Sequence, residues 1–396
     1  MTQQKWTRRN ALHAVAAAGA VASMPLRAQD AKSPDAAASG APAIAAGGAN
    51  EIRIGQSAHL TGPLAPFLLP VIKGQELAIE EANRKGGING RPVRLIALDD
   101  AYDPKKCVEN VHTLIDKEKV VALYGLASTP NVLATLPILS EKKVPLVCVY
   151  TGSPVLRAKQ HPYFFTTMAS YRDEVVQMVR NLVTLQKSQI GLVYQNAAFG
   201  QLMKPVVEEV VKELGATLVV QAPLEANGSD AVACAQSLAA AKPQAVLFMA
   251  FGPSIIPFVK AVRSYVGVPV YAISIANSPA LLKAMGDDAR GLAFTQLVPY
   301  PYRQTTPLTR DLAAALEREK IDISYDYMFG YMNMRILLEG IRRAGKKVTP
   351  VDVVKAMESM NKFDLGGYPV SFSPTKHHGS NFVEITIVGP GGRWIR

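Results

Sequence analysis

Three observations predict an α/β protein made of two doubly wound, Rossmann-like units. From Glu51 onward short apolar runs alternate with amphipathic stretches, the pattern of a parallel sheet covered by helices on both faces. The alternation comes as two consecutive series, one before and one after Phe164-Phe165-Thr166. The length of 396 residues exceeds what a single hydrophobic core fills, so two lobes are expected.

Taken in order, the chain opens with what reads as an export signal. Thr7-Arg8-Arg9-Asn10-Ala11-Leu12 precedes an uncharged, mostly apolar stretch from Ala14 to Leu26 that ends in Arg27-Ala28-Gln29. The paired arginines favour the twin-arginine route, although Ala11 replaces the bulky apolar residue usual there. The stretch is shorter than the about 20 apolar residues of a membrane-spanning helix. Residues 1–28 are therefore expected to be a cleaved signal peptide, and the product to reside in the periplasm. Residues 29–50 are rich in Ala, Gly, Ser and Pro and hold too little bulky apolar surface to offset ordering entropy, so a disordered linker is expected.

The first series predicts strands at Ile52 to Gln56, Val93 to Leu98, Val121 to Tyr124 and Pro145 to Val149, with helices at 71–85, 104–118 and 130–142. The second predicts helices at 172–186, 201–214, 229–240 and 254–265, alternating with strands at Gln189 to Tyr194, Thr217 to Gln221, Ala245 to Met249 and Val268 to Ile273. Helices near 306–319, 327–343 and 350–360 and a strand from Phe382 to Val388 complete one lobe or the other. The chain then passes between lobes more than once, which makes a hinge.

Composition narrows the function. The chain has 43 basic and 32 acidic residues; without Lys5, Arg8, Arg9 and Arg27 the balance is 39 against 32, a net +7. The excess is scattered over polar helix faces, as at Lys105/Lys106, Lys142/Lys143 and Arg342/Arg343, and not gathered on one face as nucleic-acid binding requires. Cys107, Cys148 and Cys234 are an odd number for an oxidising compartment, and buried free thiols are expected. No Cys pair has metal-ligand spacing. His377-His378 lies in a loop-like stretch without a neighbouring carboxylate in sequence, so no metal site is expected. Nucleophile-elbow and phosphate-loop motifs are lacking, which argues against an enzyme, and no cofactor is implied.

Ligands of open parallel sheets bind beyond the carboxyl ends of the strands. After the strand at 121–124 comes Gly125-Leu126-Ala127-Ser128-Thr129-Pro130, where Ser128 or Thr129 is placed to cap a helix and Pro130 to occupy its first turn. Free N–H groups and hydroxyls at a helix start suit a carboxylate. After the next strand comes Tyr150-Thr151-Gly152-Ser153-Pro154, again rich in hydroxyls and Gly. Each loop alone reads first as an ordinary cap, and two adjacent strands ending alike bring the binding reading level with it.

Several spaced motifs together resemble a known family. Ile54-Gly55, Leu60-Thr61-Gly62-Pro63, Lys73-Gly74, the run Ala82 to Arg91, Asp99-Asp100, Asp103-Pro104, Val144-Pro145-Leu146, Phe199-Gly200, Gly286 to Gly291 and Ser324-Tyr325 to Gly330-Tyr331 resemble the leucine/isoleucine/valine-binding proteins of ABC importers, over essentially all of 51–396. Gly86-Gly87-Ile88-Asn89-Gly90 follows a helix and turns into a strand, so it is not a dinucleotide fingerprint. The resemblance implies a type I periplasmic binding fold whose lobes, 51–171 plus 301–373 and 172–298 plus 380–396, close on a multi-crossing hinge. It implies a monomer that binds a small-molecule solute and docks on an inner-membrane ABC permease, with a ligand-sensing receptor subunit of the same fold as the alternative.

The resemblance also implies site residues. Ser128 and Thr129, with Tyr150, Thr151 and Gly152 in the second loop, are expected to grip a carboxylate; Phe67, Phe199, Phe251 and Tyr325 fall on the family's aromatic walls. Where amino-acid binders of the family carry an acid for the ligand's ammonium, this chain reads Ile273-Ser274-Ile275-Ala276-Asn277. Ser274 is thus expected at the ligand with no charge partner for an ammonium, which favours an apolar or aromatic carboxylate. The open alternative is another acid serving the ammonium, for instance Asp326. The cysteines that join two loops in some members are replaced by Tyr102 and Ala127.

Overall fold

Two central sheets organise the computed structural model, which describes residues 50–396 except Pro63. The expected signal peptide, 1–28, and all of the expected linker, 29–50, except Asn50 lie outside the described residues. The first series forms β1 (Ile52–Ala58), α1 (Ala65–Arg84), β2 (Val93–Asp99), α2 (Pro104–His112), β3 (Ala122–Tyr124), α3 (Thr129–Lys142), β4 (Leu146–Val147) and β5 (Phe164–Phe165). Its five strands are all parallel in the order β2-β1-β3-β4-β5. Neighbouring residues of these strands enter opposite cores, as a period of two requires. Leu123, Leu146 and Phe164 pack with α2 and α3, whereas Tyr124, Val147 and Phe165 pack with α1.

The second series forms α4 (Tyr171–Thr184), β6 (Gln189–Gln195), α5 (Ala198–Glu213), β7 (Thr217–Leu224), α6 (Ala231–Ala241), β8 (Ala245–Met249), α7 (Ile255–Tyr265), β9 (Val270–Ala272), α8 (Pro279–Met285) and β10 (Ala293–Gln296). The chain then forms α9 (Pro307–Glu319), α10 (Tyr325–Ala344), α11 (Pro350–Glu358), the hairpin β11 (Phe363–Asp364) and β12 (Pro369–Val370), and finally β13 (Glu384–Val388) and β14 (Trp394–Ile395). α10 packs along α1, and α11 packs on α10. The second sheet has the order β14-β13-β10-β9-β8-β6-β7. The main chain thus leaves the first sheet after β5, returns after β10 and leaves again after β12. Two of these crossings pair, since Thr166 N–H donates to the His377 carbonyl (3.0 Å) and Gly379 N–H to the Thr166 carbonyl (2.8 Å).

Several expectations need correction. The second sheet is not wholly parallel, because β13 runs antiparallel to β10 and β14 to β13. β10 was not anticipated: its four residues are too few to show a period, although all are buried. α1 starts at Ala65, six residues before the expected 71; Pro66 sits in the first turn, where a missing N–H costs nothing, and the helix continues through Pro70. His377 is not without a carboxylate. It is buried and stacked on Phe165, with Nε2 3.2 Å from Glu358 Oε1, contributed by the last turn of α11. Cys107, Cys148 and Cys234 are free and buried, as expected, and burial pushes each thiol up to about 12.

Candidate functional site

In a doubly wound sheet the crevice opens where the strand order reverses. In the first sheet that point lies between β1 and β3, and the loop after β3 carries Ser128; in the second it lies between β6 and β8, which are followed by Phe199 in the first turn of α5 and Phe251 in the loop before α7. Sheet order alone therefore selects the Ser128 loop of the two loops singled out from sequence; the Tyr150 loop follows β4, one strand away.

The loop after β3 is held from below. Gly125 has φ +62°, and a Cβ there would stand 2.6 Å from Gln56 Nε2, which donates to the Gly125 carbonyl at 3.1 Å. Ser128, not Thr129, caps α3: its Oγ accepts from Asn131 N–H at 3.3 Å, with Ser128 at φ 71° and 8% exposed. Asn131 is fixed in turn by Asp100, which accepts from Asn131 Nδ2 (3.1 Å), Ser57 Oγ (2.9 Å) and Tyr102 N–H (2.9 Å). Pro130 has no N–H, and those of Asn131 and Val132 are engaged by Ser128, so the groups this base offers an anion are the Thr129 N–H and the hydroxyls of Ser128 and Thr129, at the positive end of α3.

The second loop is tied to the first. Thr129 Oγ1 and Thr151 Oγ1 are 2.9 Å apart, and Tyr150 N–H donates to the Leu126 carbonyl at 2.9 Å. The Tyr150 ring meets Phe329 of α10 edge-on at 5.1 Å. Gly152 is required by packing, because a Cβ would come 2.7 Å from the Tyr171 ring.

Tyr171 joins the two halves and was not foreseen. Its N–H donates to the Gly152 carbonyl (2.8 Å), its hydroxyl lies 3.5 Å from Thr151 Oγ1, and its ring meets Phe199 edge-on at 5.5 Å. Phe199 meets Phe251 in the same way at 5.2 Å. Ser128, Thr129, Tyr150, Thr151, Gly152, Phe199 and Phe251 thus form one connected set through Tyr171. Phe67, in the first turn of α1, is half-buried and makes no ring contact with Phe199 or Phe251 among the described residues. Tyr325 lies in a different group, against Tyr300, Tyr302 and Trp394.

The Ser274 loop is not without an acid. Glu174, in the first turns of α4, accepts from Ser274 N–H (2.8 Å), Ser274 Oγ (3.1 Å) and Thr295 Oγ1. Burial pushes its carboxyl up to about 7, against the hydrogen bonds from Thr295 and Ser274. Both oxygens serve the protein, so Glu174 supports the loop. A folded-state pKa above the unfolded one means stability present below pH ~4.5 and lost as pH rises through about 7. Glu174→Gln removes that loss, so its melting temperature relative to the natural chain is expected to climb between pH 5 and pH 8. A pH-independent difference in calorimetric melting scans would refute the assignment.

Among the described residues no three His, Cys, Asp or Glu side chains are grouped to hold a metal ion. No helix among them is long and apolar enough to cross a membrane.

Comparison with known proteins agrees with this architecture. The sequence pattern of the family described as "Periplasmic binding protein" matches residues 51–392. "Leu/Ile/Val-binding protein homolog 3" of Brucella melitensis biotype 1 is 24% identical over 338 residues, covering 82% of this chain and 88% of that protein. A substrate-binding periplasmic protein from Ralstonia solanacearum superposes with a TM-score of 0.79 at 30% identity, covering 87% of this chain and 99% of that one. An extracellular ligand-binding receptor from Verminephrobacter eiseniae gives 0.81 at 25%, covering 87% and 100%. The chain belongs to the periplasmic binding protein family and has its two-lobed type I fold.

Proposed function

We propose that this protein is the solute-binding component of an ABC importer of the branched-chain-amino-acid type, exported to the periplasm after removal of residues 1–28 and acting as a monomer on an inner-membrane permease. It binds a small, apolar or aromatic carboxylate by closing lobe 51–171 plus 301–373 onto lobe 172–298 plus 380–396. The observation that carries this reading is the continuous path from the N-terminus of α3, through Thr129, Thr151 and Tyr171, to Phe199 and Phe251 of the second sheet. This path supports an anion grip on the first sheet joined to apolar walls on the second.

In this reading Ser128 and Thr129 hold the carboxylate, and Tyr150, Thr151 and Gly152 close around it. Phe199 and Phe251 face the apolar body, with Phe67 and Tyr325 entering as the lobes close. Ser274, whose hydroxyl and N–H Glu174 already engages, serves by holding its loop in place beside the ligand. The name of the Brucella relative, a Leu/Ile/Val-binding protein homologue, fits a solute of this size.

A thermal-shift screen against amino acids, aliphatic acids, aromatic acids and amides tests the proposal. A bound carboxylate at 100 times its Kd adds about 2.7 kcal/mol to stability. Apolar or aromatic carboxylates are expected to raise the melting temperature while their amides do not. Stabilisation by the amides alone, or by nothing in the screen, would overturn it.

A further inference from the structure

The grip at the start of α3 carries no positive charge of its own: no residue of Ser128–Thr129 or Tyr150–Gly152, nor Phe199 or Phe251, is a cation. A carboxylate enclosed there needs a counter-charge as well as donors, or its burial is costly. A half-buried guanidinium stands directly behind the second loop. Arg157 ends the short 3-10 turn Pro154–Arg157 that follows this loop; its Nη1 donates to the Ser153 carbonyl (3.1 Å) and its Nη2 to the Met168 carbonyl. Ser153 is thereby held at both ends, since its N–H donates at 3.3 Å to Thr151 Oγ1, the hydroxyl paired with Thr129. Met168 lies on the first crossing between the sheets, just before Tyr171.

The protein leaves this charge without a partner. Among the described residues no carboxylate lies within ion-pair distance of the guanidinium, which bonds only to carbonyls. The two acids that act on it from further off are committed elsewhere: Asp173 Oδ2 accepts from Ser170 N–H (2.9 Å) and Ser170 Oγ (2.7 Å), and Glu174 accepts from Ser274 and Thr295. Burial pulls the Arg157 guanidinium below its usual value, against the opposing pull of Asp173, Tyr171 and Glu174. The Arg157 charge is felt at the third crossing, where burial first and Arg157 second bring half-buried His378 down to about 4, so that this imidazole is neutral at pH 7 and adds no second positive charge. It is felt equally at Tyr171, whose hydroxyl lies 3.5 Å from Thr151 Oγ1. Partial burial leaves such a charge less screened by salt than one on the open surface.

We propose that Arg157 is the counter-charge of the bound carboxylate, a positioning residue that acts from behind the Tyr150–Ser153 loop without touching the solute. On the carboxylate reading given above, which this assignment presupposes, Arg157 is the residue that selects an anion over its isosteric amide. Its two bonds to two carbonyls fix the planar guanidinium in place, a geometry that a lysine cannot reproduce although it keeps the charge. The same bonds tie the second loop to the first crossing, so the charge is anchored where the loop and the crossing meet.

The test titrates 4-methylpentanoate and 3-phenylpropanoate, an aliphatic and an aromatic acid, calorimetrically into the natural chain, Arg157→Met and Arg157→Lys. Arg157→Met keeps an apolar stem and removes the charge, and is expected to weaken both carboxylates by about tenfold or more. Arg157→Lys is expected to recover most of that loss, although it cannot span both carbonyls. A pH series separates charge from mere support. As pH falls from 7 towards 4 and the solute takes up its proton, the natural chain is expected to lose affinity and Arg157→Met to lose less, because it no longer favours the anion; a residue that only supports the loop would leave the two profiles parallel. Equal affinity in the natural chain and Arg157→Met, parallel pH profiles, or no recovery in Arg157→Lys would each overturn the proposal while leaving the carboxylate reading standing. A natural chain that binds neither acid removes that reading, and the role of Arg157 with it. Should Arg157→Met fail to fold, Arg157→Gln, which keeps an amide donor for the Ser153 carbonyl, takes its place with the same expected outcomes.

Discussion

Gly330→Val is expected to cost more than about 4 kcal/mol of stability and to leave little folded protein. α1 and α10 cross with their backbones in contact: a Cβ on Gly330 would fall on the Val71 carbonyl, and one on Gly74 on the Tyr327 carbonyl. Neither backbone can yield, because each helix also closes the core against the first sheet through Leu68, Val71, Met328 and Met332. The effect reaches function as well as folding, since the same helix places Phe329 against Tyr150. Gly62→Ala is the informative contrast, as a Cβ there meets nothing within 4 Å and the cost is backbone strain alone at φ +84°. Denaturant midpoints for the two variants check the comparison; similar losses would show that the helix crossing is not the constraint.

Ser128→Ala is expected to weaken binding of the carboxylate solute by about 10- to 100-fold, the equivalent of losing one hydrogen bond to a charged group at roughly 1.5–3 kcal/mol. The structure adds a second cost. The same Oγ caps α3 by accepting from Asn131 N–H, so the variant also loses about 1 kcal/mol of stability. The two are separated by measuring both: calorimetric titration gives the affinity and thermal melting of the unliganded chain gives the cap. Unchanged affinity with the cap lost would mean that Ser128 is structural only.

The sequence showed the frame of this site because its signals are local. Proline at the first helical turn and a hydroxyl before it mark the start of α3, and Ser128 proved to be the cap. The residues it did not show are those whose role depends on partners far along the chain. Tyr171 acts through Thr151 and Phe199, brought to it by a crossing between sheets. Glu174 leaves a trace in the sequence: it lies on the buried stripe of Tyr171, Val175, Met178 and Leu182, where a carboxylate must have a reason. Asp326 enters the sequence reading only as the alternative acid for an ammonium. An acid in a first helical turn is normally explained by the helix dipole, and only its burial and free oxygen set it apart. His377 gained its carboxylate only when α11 folded back on the third crossing.

The most direct test of the central claim is a crystal structure of the chain with a carboxylate solute identified by thermal shift. The carboxylate is expected at the N-terminus of α3, one oxygen about 2.7–3.1 Å from Ser128 Oγ and from its N–H, and the apolar body against Phe199 and Phe251 with the two lobes closed on it. A solute bound elsewhere, with Ser128 still engaged only in capping α3, would contradict it.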